Sequence, residues 1–246
     1  MNATFKLVAI ARDGHDMGIA FRTEEFDNVI RVTVPAEATK GKEINLIRIE
    51  SNLTTFKTGD KGNMIFPTGM EDGVAQCNFD EKENEMYRSR IACMATAGIC
   101  DTPDAVMLLC RSAEYDQRFL VKCADGVYSL SPEFVLDFDE AEDDMIIDYI
   151  KMPNATFVDM AKAYRRYQLE ERGCVPLRER VKTYPKVAEA ADCIEVRIRM
   201  GWKPQPTPVR RQTLENEPPM KIACDIPTLH KIIDRMKDAG IRGAEI

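Results

Sequence analysis

Near the C-terminus, Glu195, Arg197 and Arg199 alternate with Ile194, Val196, Ile198 and Met200, and Gly201-Trp202-Lys203-Pro204 follows at once. The alternation predicts a strand over residues 193–200. Charged side chains on a buried strand are costly unless paired, exposed or facing the mouth of a barrel. In a barrel of strands and outer helices, the loops after the strands build the active-site face. Trp202, the only tryptophan, next to a cation in such a loop would suit a polyhydroxylated ligand, the ring stacking on an apolar sugar face. The plain alternative is that Trp202 packs at a strand end. Glu245 stands on a second short stretch, residues 241–246. Two carboxylates on barrel strands are the pattern of the acid and nucleophile of a glycoside hydrolase. Glu195 lies early in its strand, away from the mouth, so an ion pair with Arg197 or Arg242 suits it better. The candidate substrate-binding residues are therefore Arg199, Trp202, Lys203 and Glu245, and no catalytic residue is assigned.

Other chemistry is thin. Eight cysteines, Cys77, Cys93, Cys100, Cys110, Cys123, Cys174, Cys193 and Cys224, contain no C-x-x-C pair, and His15 and His230 are the only histidines. That composition offers no zinc-ligand cluster, and no cofactor motif stands beside it. Cys110 and Cys123 end apolar runs and read as buried free thiols. Asp137-Phe138-Asp139-Glu140-Ala141-Glu142-Asp143-Asp144 is strongly acidic but lacks the ligand spacing and central glycine of a calcium loop, so a solvated loop or strand edge is expected. A nucleophile elbow, a P-loop and a dinucleotide-binding glycine motif are all missing. The formal net charge of −7 argues against nucleic acid as a partner, and Arg165-Arg166 and Arg210-Arg211 are isolated pairs. No stretch has transmembrane length. Residues 1–21 show no basic segment leading into an apolar core, which points to a cytoplasmic, reducing compartment.

Positioning these residues falls to two kinds of element. Short apolar or alternating runs at residues 5–10, 29–34, 44–49, 64–66, 74–79, 106–110, 119–123, 127–130 and 145–150 are separated by turn residues, including Thr68-Gly69 and Glu71-Asp72-Gly73. This rhythm predicts antiparallel sheets packed face to face. Asp125-Gly126 marks a hairpin. The period then changes. Residues 156–172 place Phe157, Met160, Ala161, Tyr164 and Gln168 on one helical face, with Asn154 or Thr156 to cap the start and Gly173 to end it. Further helices are expected at 177–182, 186–191 and 227–239, the last stopped by Gly240, with a proline-rich loop at 204–208 between strand and helix. Strand, connection, helix, strand is the βαβ rhythm of a parallel sheet or barrel.

Four segments resemble a known family. Gly59-Asp60-Lys61-Gly62-Asn63-Met64-Ile65-Phe66-Pro67-Thr68-Gly69 is similar to a turn-rich motif in the N-terminal β-sandwich of an uncharacterised family of glycosidase-like proteins. Met160-Ala161-Lys162-Ala163-Tyr164-Arg165-Arg166-Tyr167 is similar to the helix that leads from that sandwich to a barrel. Ile198-Arg199-Met200-Gly201-Trp202-Lys203-Pro204 and Lys237-Asp238-Ala239-Gly240-Ile241 resemble the barrel's first strand–loop and second strand. The family looks related to endo-α-N-acetylgalactosaminidases, so the resemblance implies a galactose-mutarotase-like sandwich, a (β/α)8 barrel, and carbohydrate as the ligand class. It carries no catalytic residue onto this chain, because such barrels draw theirs from middle strands.

The expected fold is thus α+β: a β-sandwich over residues 1–153, connecting helices over 154–191, and the first βαβ portion of a (β/α)8 barrel over 192–246, cut short. On this reading the chain is an accessory portion of a glycoside hydrolase-like protein, inactive alone. The alternatives are a non-catalytic carbohydrate-binding or protein-interaction sandwich, and a complete small enzyme, which the missing nucleophile and base signals disfavour.

Overall fold

The computed structural model describes residues 2–69, 73–80, 86–88, 94–203, 215–216, 218–241 and 244–245. The chain divides into two compact units, Met1–Arg172 and Gly173–Ile246. The first unit holds β1 (Phe5–Ala11), β2 (Arg22–Phe26), β3 (Val29–Val34), β4 (Ile44–Ser51), β5 (Thr55–Lys57), β6 (Asn63–Gly69) and β7 (Gly73–Asn78). It continues with β8 (Met86–Arg88), β9 (Thr96–Cys100), β10 (Val106–Cys110), β11 (Gln117–Ala124), β12 (Val127–Val135), β13 (Met145–Lys151) and helix α1 (Phe157–Glu170).

These strands make two antiparallel sheets. One is ordered β1-β4-β12-β11-β8, with β5 also pairing β12; the other is ordered β2-β3-β13-β10-β9-β6-β7. Because side chains alternate across a strand, each sheet turns one row inward. Leu7, Ile47, Ile49, Phe119, Val121, Leu130 and Phe134 from the first sheet share a buried cluster with Ile30, Val32, Ile99, Leu108, Ile147 and Tyr149 from the second. That common core makes the unit a β-sandwich. The β11–β12 hairpin turns where expected: Ala124 pairs with Val127, and Asp125 and Gly126 take φ of 52° and 71°. Two positive φ values give a turn whose twist matches that of the flanking strands.

Helix α1 covers the outer face of the second sheet. Met160 and Tyr167 pack on Cys100, Met107 and Leu109 in a second buried cluster, with Ala163 and Tyr164 alongside. The expected stripe needs correction here, since Phe157 is about half exposed and Ala161 is exposed. The helix meets the sheet through Met160, Tyr164 and Tyr167, which follow one another at three- and four-residue spacing. Thr156 rather than Asn154 caps it, in a reciprocal capping box with Asp159.

The strands β2, β5, β8 and β9 lie outside the expected runs, and two of them show why. β2, Arg-Thr-Glu-Glu-Phe, is exposed along its whole length, so burial leaves no mark on its sequence. β9 is made of small residues around Gly98, where an added Cβ would stand 2.6 Å from the Met160 sulfur. Close approach of helix to sheet, not strand propensity, selects that glycine.

The second unit contains α2 (Leu177–Thr183), α3 (Lys186–Ala191), β14 (Ile194–Glu195), β15 (Gly201–Trp202), β16 (Lys221–Ile222), α4 (Ile226–Asp238) and β17 (Ala244–Glu245). Of the strand expected over 193–200, Ile194 and Glu195 are strand, and within 241–246 the described residues Ala244 and Glu245 are strand. Alternation marks any extended segment, whereas a strand needs a neighbour for its backbone groups. The Met200 carbonyl instead accepts from the amides of Ala223 and Cys224 at 3.0 and 3.1 Å. The turn at Glu71-Asp72, the loop at 204–208, the Arg210-Arg211 pair, Cys93, Arg242 and Ile246 lie outside the described residues.

Candidate functional site

The four candidate residues all fall in the second unit. β14 pairs with β17 in parallel, Ile194 beside Ala244 and Glu195 beside Glu245. The backbone thus makes the two carboxylate-bearing residues register neighbours. Helix α4 lies between these strands in sequence. Asp225 caps it by accepting from the Thr228 amide at 2.8 Å, Pro227 stands in its first turn, and Gly240 follows it with φ of 83°. Arg235 and Lys237 lie in its last turn, where cations favour the carbonyl end.

Trp202 sits on β15, antiparallel to β16, and not in an open loop. Gly201 permits this: a Cβ there would stand 2.9 Å from the Lys221 carbonyl. Trp202 keeps 43% of its surface exposed, and the Arg199 guanidinium lies 5.7 Å from its ring centroid. A cation on one part of the ring fixes its orientation while leaving apolar aromatic surface for a ligand. Arg199 and Trp202 are therefore brought together, and Lys203, also exposed, follows directly. Glu245 belongs to the other strand pair. A flat aromatic surface with adjacent cations can stack on a sugar ring and donate to its oxygens; by itself it cannot break a glycosidic bond.

Several charged groups elsewhere have structural work. Glu133, with no exposed side-chain surface, bridges Arg48 at 2.8 Å and Arg118 at 2.7 Å across three adjacent strands. Asp148 takes a bidentate pair of bonds from Arg31, at 2.7 and 2.8 Å. The acidic run is a strap: Asp144 accepts from the Ala36 amide and from Arg22, and Glu140 accepts from the Gly41 amide. No group of His, Cys, Asp or Glu suited to a metal ion occurs among the described residues. Cys110 and Cys123 are buried free thiols, as their apolar contexts predict, and Cys100 joins them. Burial, helped by the Asp101 carboxylate, pushes the Cys100 thiol up to about 12, so it is no nucleophile at neutral pH. Among the described residues no helix is long and apolar enough to cross a membrane.

No family model matches this chain, and no curated protein is similar to it in sequence. Solved structures are similar in fold. Against alpha-N-acetylgalactosaminidase NagBb from Bifidobacterium bifidum in its Gal-NHAc-DNJ complex, the TM-score is 0.60 at 10% identity, over 96% of this chain and 44% of that one. The quadruple mutant of the same enzyme gives 0.59 at 11% identity, covering 97% of this chain and 42% of the other. The ligand-free form gives 0.55 at 11%, over 95% and 44%. The chain therefore spans less than half the length of these structures and shares a glycoside-hydrolase-like fold with them.

Proposed function

We propose that this chain is the N-terminal, accessory portion of a glycoside-hydrolase-like protein acting on carbohydrate. Its sandwich precedes the opening βαβ portion of a (β/α)8 barrel, and Arg199, Trp202, Lys203 and Glu245 belong to the sugar-binding surface. The observation that carries this reading is the parallel pairing of β14 with β17 across α4, the repeating unit of such a barrel. The half-exposed Trp202 with Arg199 against it supports a sugar as ligand. The likeness in fold to an alpha-N-acetylgalactosaminidase supports it further. Hydrolysis by this chain alone is not expected on this reading, since the barrels it resembles draw their acid and nucleophile from middle strands. The buried free thiols support a reducing, cytoplasmic setting.

A second reading, a non-catalytic carbohydrate-binding or protein-interaction sandwich, is favoured by one fact: the first unit encloses a core of its own. Calorimetric titration with N-acetylgalactosamine, galactose and glucose separates the two. Saturable binding that weakens roughly tenfold in Trp202→Ala supports the barrel-face site. Binding unchanged in that variant moves the ligand to the sandwich. Turnover of a nitrophenyl α-N-acetylgalactosaminide by the chain alone would refute the accessory role.

A further inference from the structure

One end of the sandwich carries a cleft of about 610 Å³ between the segment around β5 and the turns that flank β10 and β13. Leu53, Phe56 and Val106 give it apolar surface, while Asp60 and Asp104 bring carboxylates to the same space. The walls are pre-formed. The Met152 amide donates to the Ala105 carbonyl at 2.9 Å, the Asn154 amide to the Thr102 carbonyl at 3.1 Å, and the Asp101 amide to the Ala155 carbonyl at 2.8 Å. Pro103 and Pro153 stiffen the two turns so joined. Phe56 is held by a parallel stack on Phe79, with centroids 4.9 Å apart.

The polar groups are unevenly engaged. Lys151 donates to Glu25 at 2.8 Å, and one oxygen of Asp60 accepts from the Lys57 amide at 2.8 Å. Asp104 has no hydrogen bond or ion pair among the described residues. Carboxylate oxygens are acceptors only, so an occupant must supply donors there and an apolar face to Leu53 and Phe56. A sugar ring has both, with hydroxyls around its edge and C–H bonds on its face.

We infer that this cleft is a carbohydrate-binding subsite of the sandwich, independent of Trp202, with Asp104 and the second oxygen of Asp60 accepting from sugar hydroxyls. The inference rests on the carbohydrate reading above. The probe set is N-acetylgalactosamine, galactose, glucose and, as a cationic control, putrescine, each titrated into the ¹⁵N-labelled chain. Sugar-induced amide shifts at residues 53–60 and 104–106 are expected, with an affinity roughly tenfold weaker in Asp104→Ala, the loss of a hydrogen bond to a charged group. Asp104 is exposed, so its removal leaves the fold intact. Sugar shifts confined to the neighbourhood of Trp202 overturn this subsite and leave the proposed function standing. Silence of both regions to every sugar overturns both. Shifts at 53–60 and 104–106 with putrescine alone mark an amine site and overturn the sugar assignment.

Discussion

Glu133 sits on β12 directly between Arg48 on β4 and Arg118 on β11, and solvent does not reach its side chain. Burying one carboxylate is expensive, and two guanidiniums with hydrogen-bond geometry offset that cost. Removing the carboxylate leaves two partly buried cations facing each other. Glu133→Ala is therefore expected to destabilise the sandwich by about 3–5 kcal/mol, read from denaturant unfolding. A loss below about 1 kcal/mol would show that solvent screens the pair. Asp148 answers to the same logic on the other sheet, where Arg31 grips it and Arg111 adds a longer contact at 3.7 Å. Nothing in the local sequence separates these two carboxylates from the solvated ones of residues 137–144. Only the strand register reveals which acids are enclosed by cations.

Helix α1 and its sheet depend on a close approach at Gly98. Adding a methyl there meets the Met160 sulfur at 2.6 Å and the Val106 carbonyl at 3.0 Å. Gly98→Ala should cost about 1–3 kcal/mol through overpacking. Part of that cost should vanish in the Met160→Ala background, where the sulfur is gone; a double-mutant cycle measures the relief. Additive effects would mean that the backbone, not Met160, blocks the methyl. The caps make a different prediction. Hydrogen bonds from Thr156 to Asp159 and from Thr228 to Asp225 favour the charged carboxylates and hold both below the ordinary value of 3.8. A lowered folded pKa means that the cap contribution is fully present above 3.8 and is lost as pH falls through the lowered value. Amide exchange in the first turns of α1 and α4 should be flat in its stability component from pH 7 to 5 and should accelerate below 3.8. Onset of fraying near pH 6 would contradict the assignment.

At the scale of the molecule, the two units differ in how much they enclose. The first unit has a shared core from two sheets and a second cluster under α1. In the second, Cys224 is the buried apolar side chain among the described residues, whereas Ile194, Met220, Ile222 and Ile226 are exposed. A two-stranded parallel sheet has both faces to cover, and parallel sheets are stable when helices cover them. The fragment of residues 1–172 is therefore expected to unfold in one cooperative denaturant transition, with the slowest-exchanging amides of the full chain all inside it. Slowest exchange in β14, α4 or β17 would overturn that ranking.

What could be read directly from the residues was whatever depends on nearest neighbours along the chain. The runs at 29–34 and 106–110 match β3 and β10 residue for residue: the first has an outer face that admits Arg31, and the second is apolar throughout because both of its faces are covered. The Asp125-Gly126 turn, a cap at Asn154 or Thr156 and the stop at Gly240 follow from local preferences of the chain. The contact of Arg199 with the Trp202 ring, by contrast, was not specified by the sequence pattern. Long-range pairing decided the rest. It placed Ile194 and Glu195, within the stretch 193–200, beside Ala244 and Glu245 as parallel neighbours among the described residues. It built β2 from charged residues and β9 around a glycine, where an edge and a helix contact outweigh propensity. It also brought Leu53, Asp104 and Pro153 to one cleft from stretches about 50 residues apart. A local pattern records what a segment prefers; burial and hydrogen-bond satisfaction are properties of the neighbours it acquires, and those exist only once the sheets have formed.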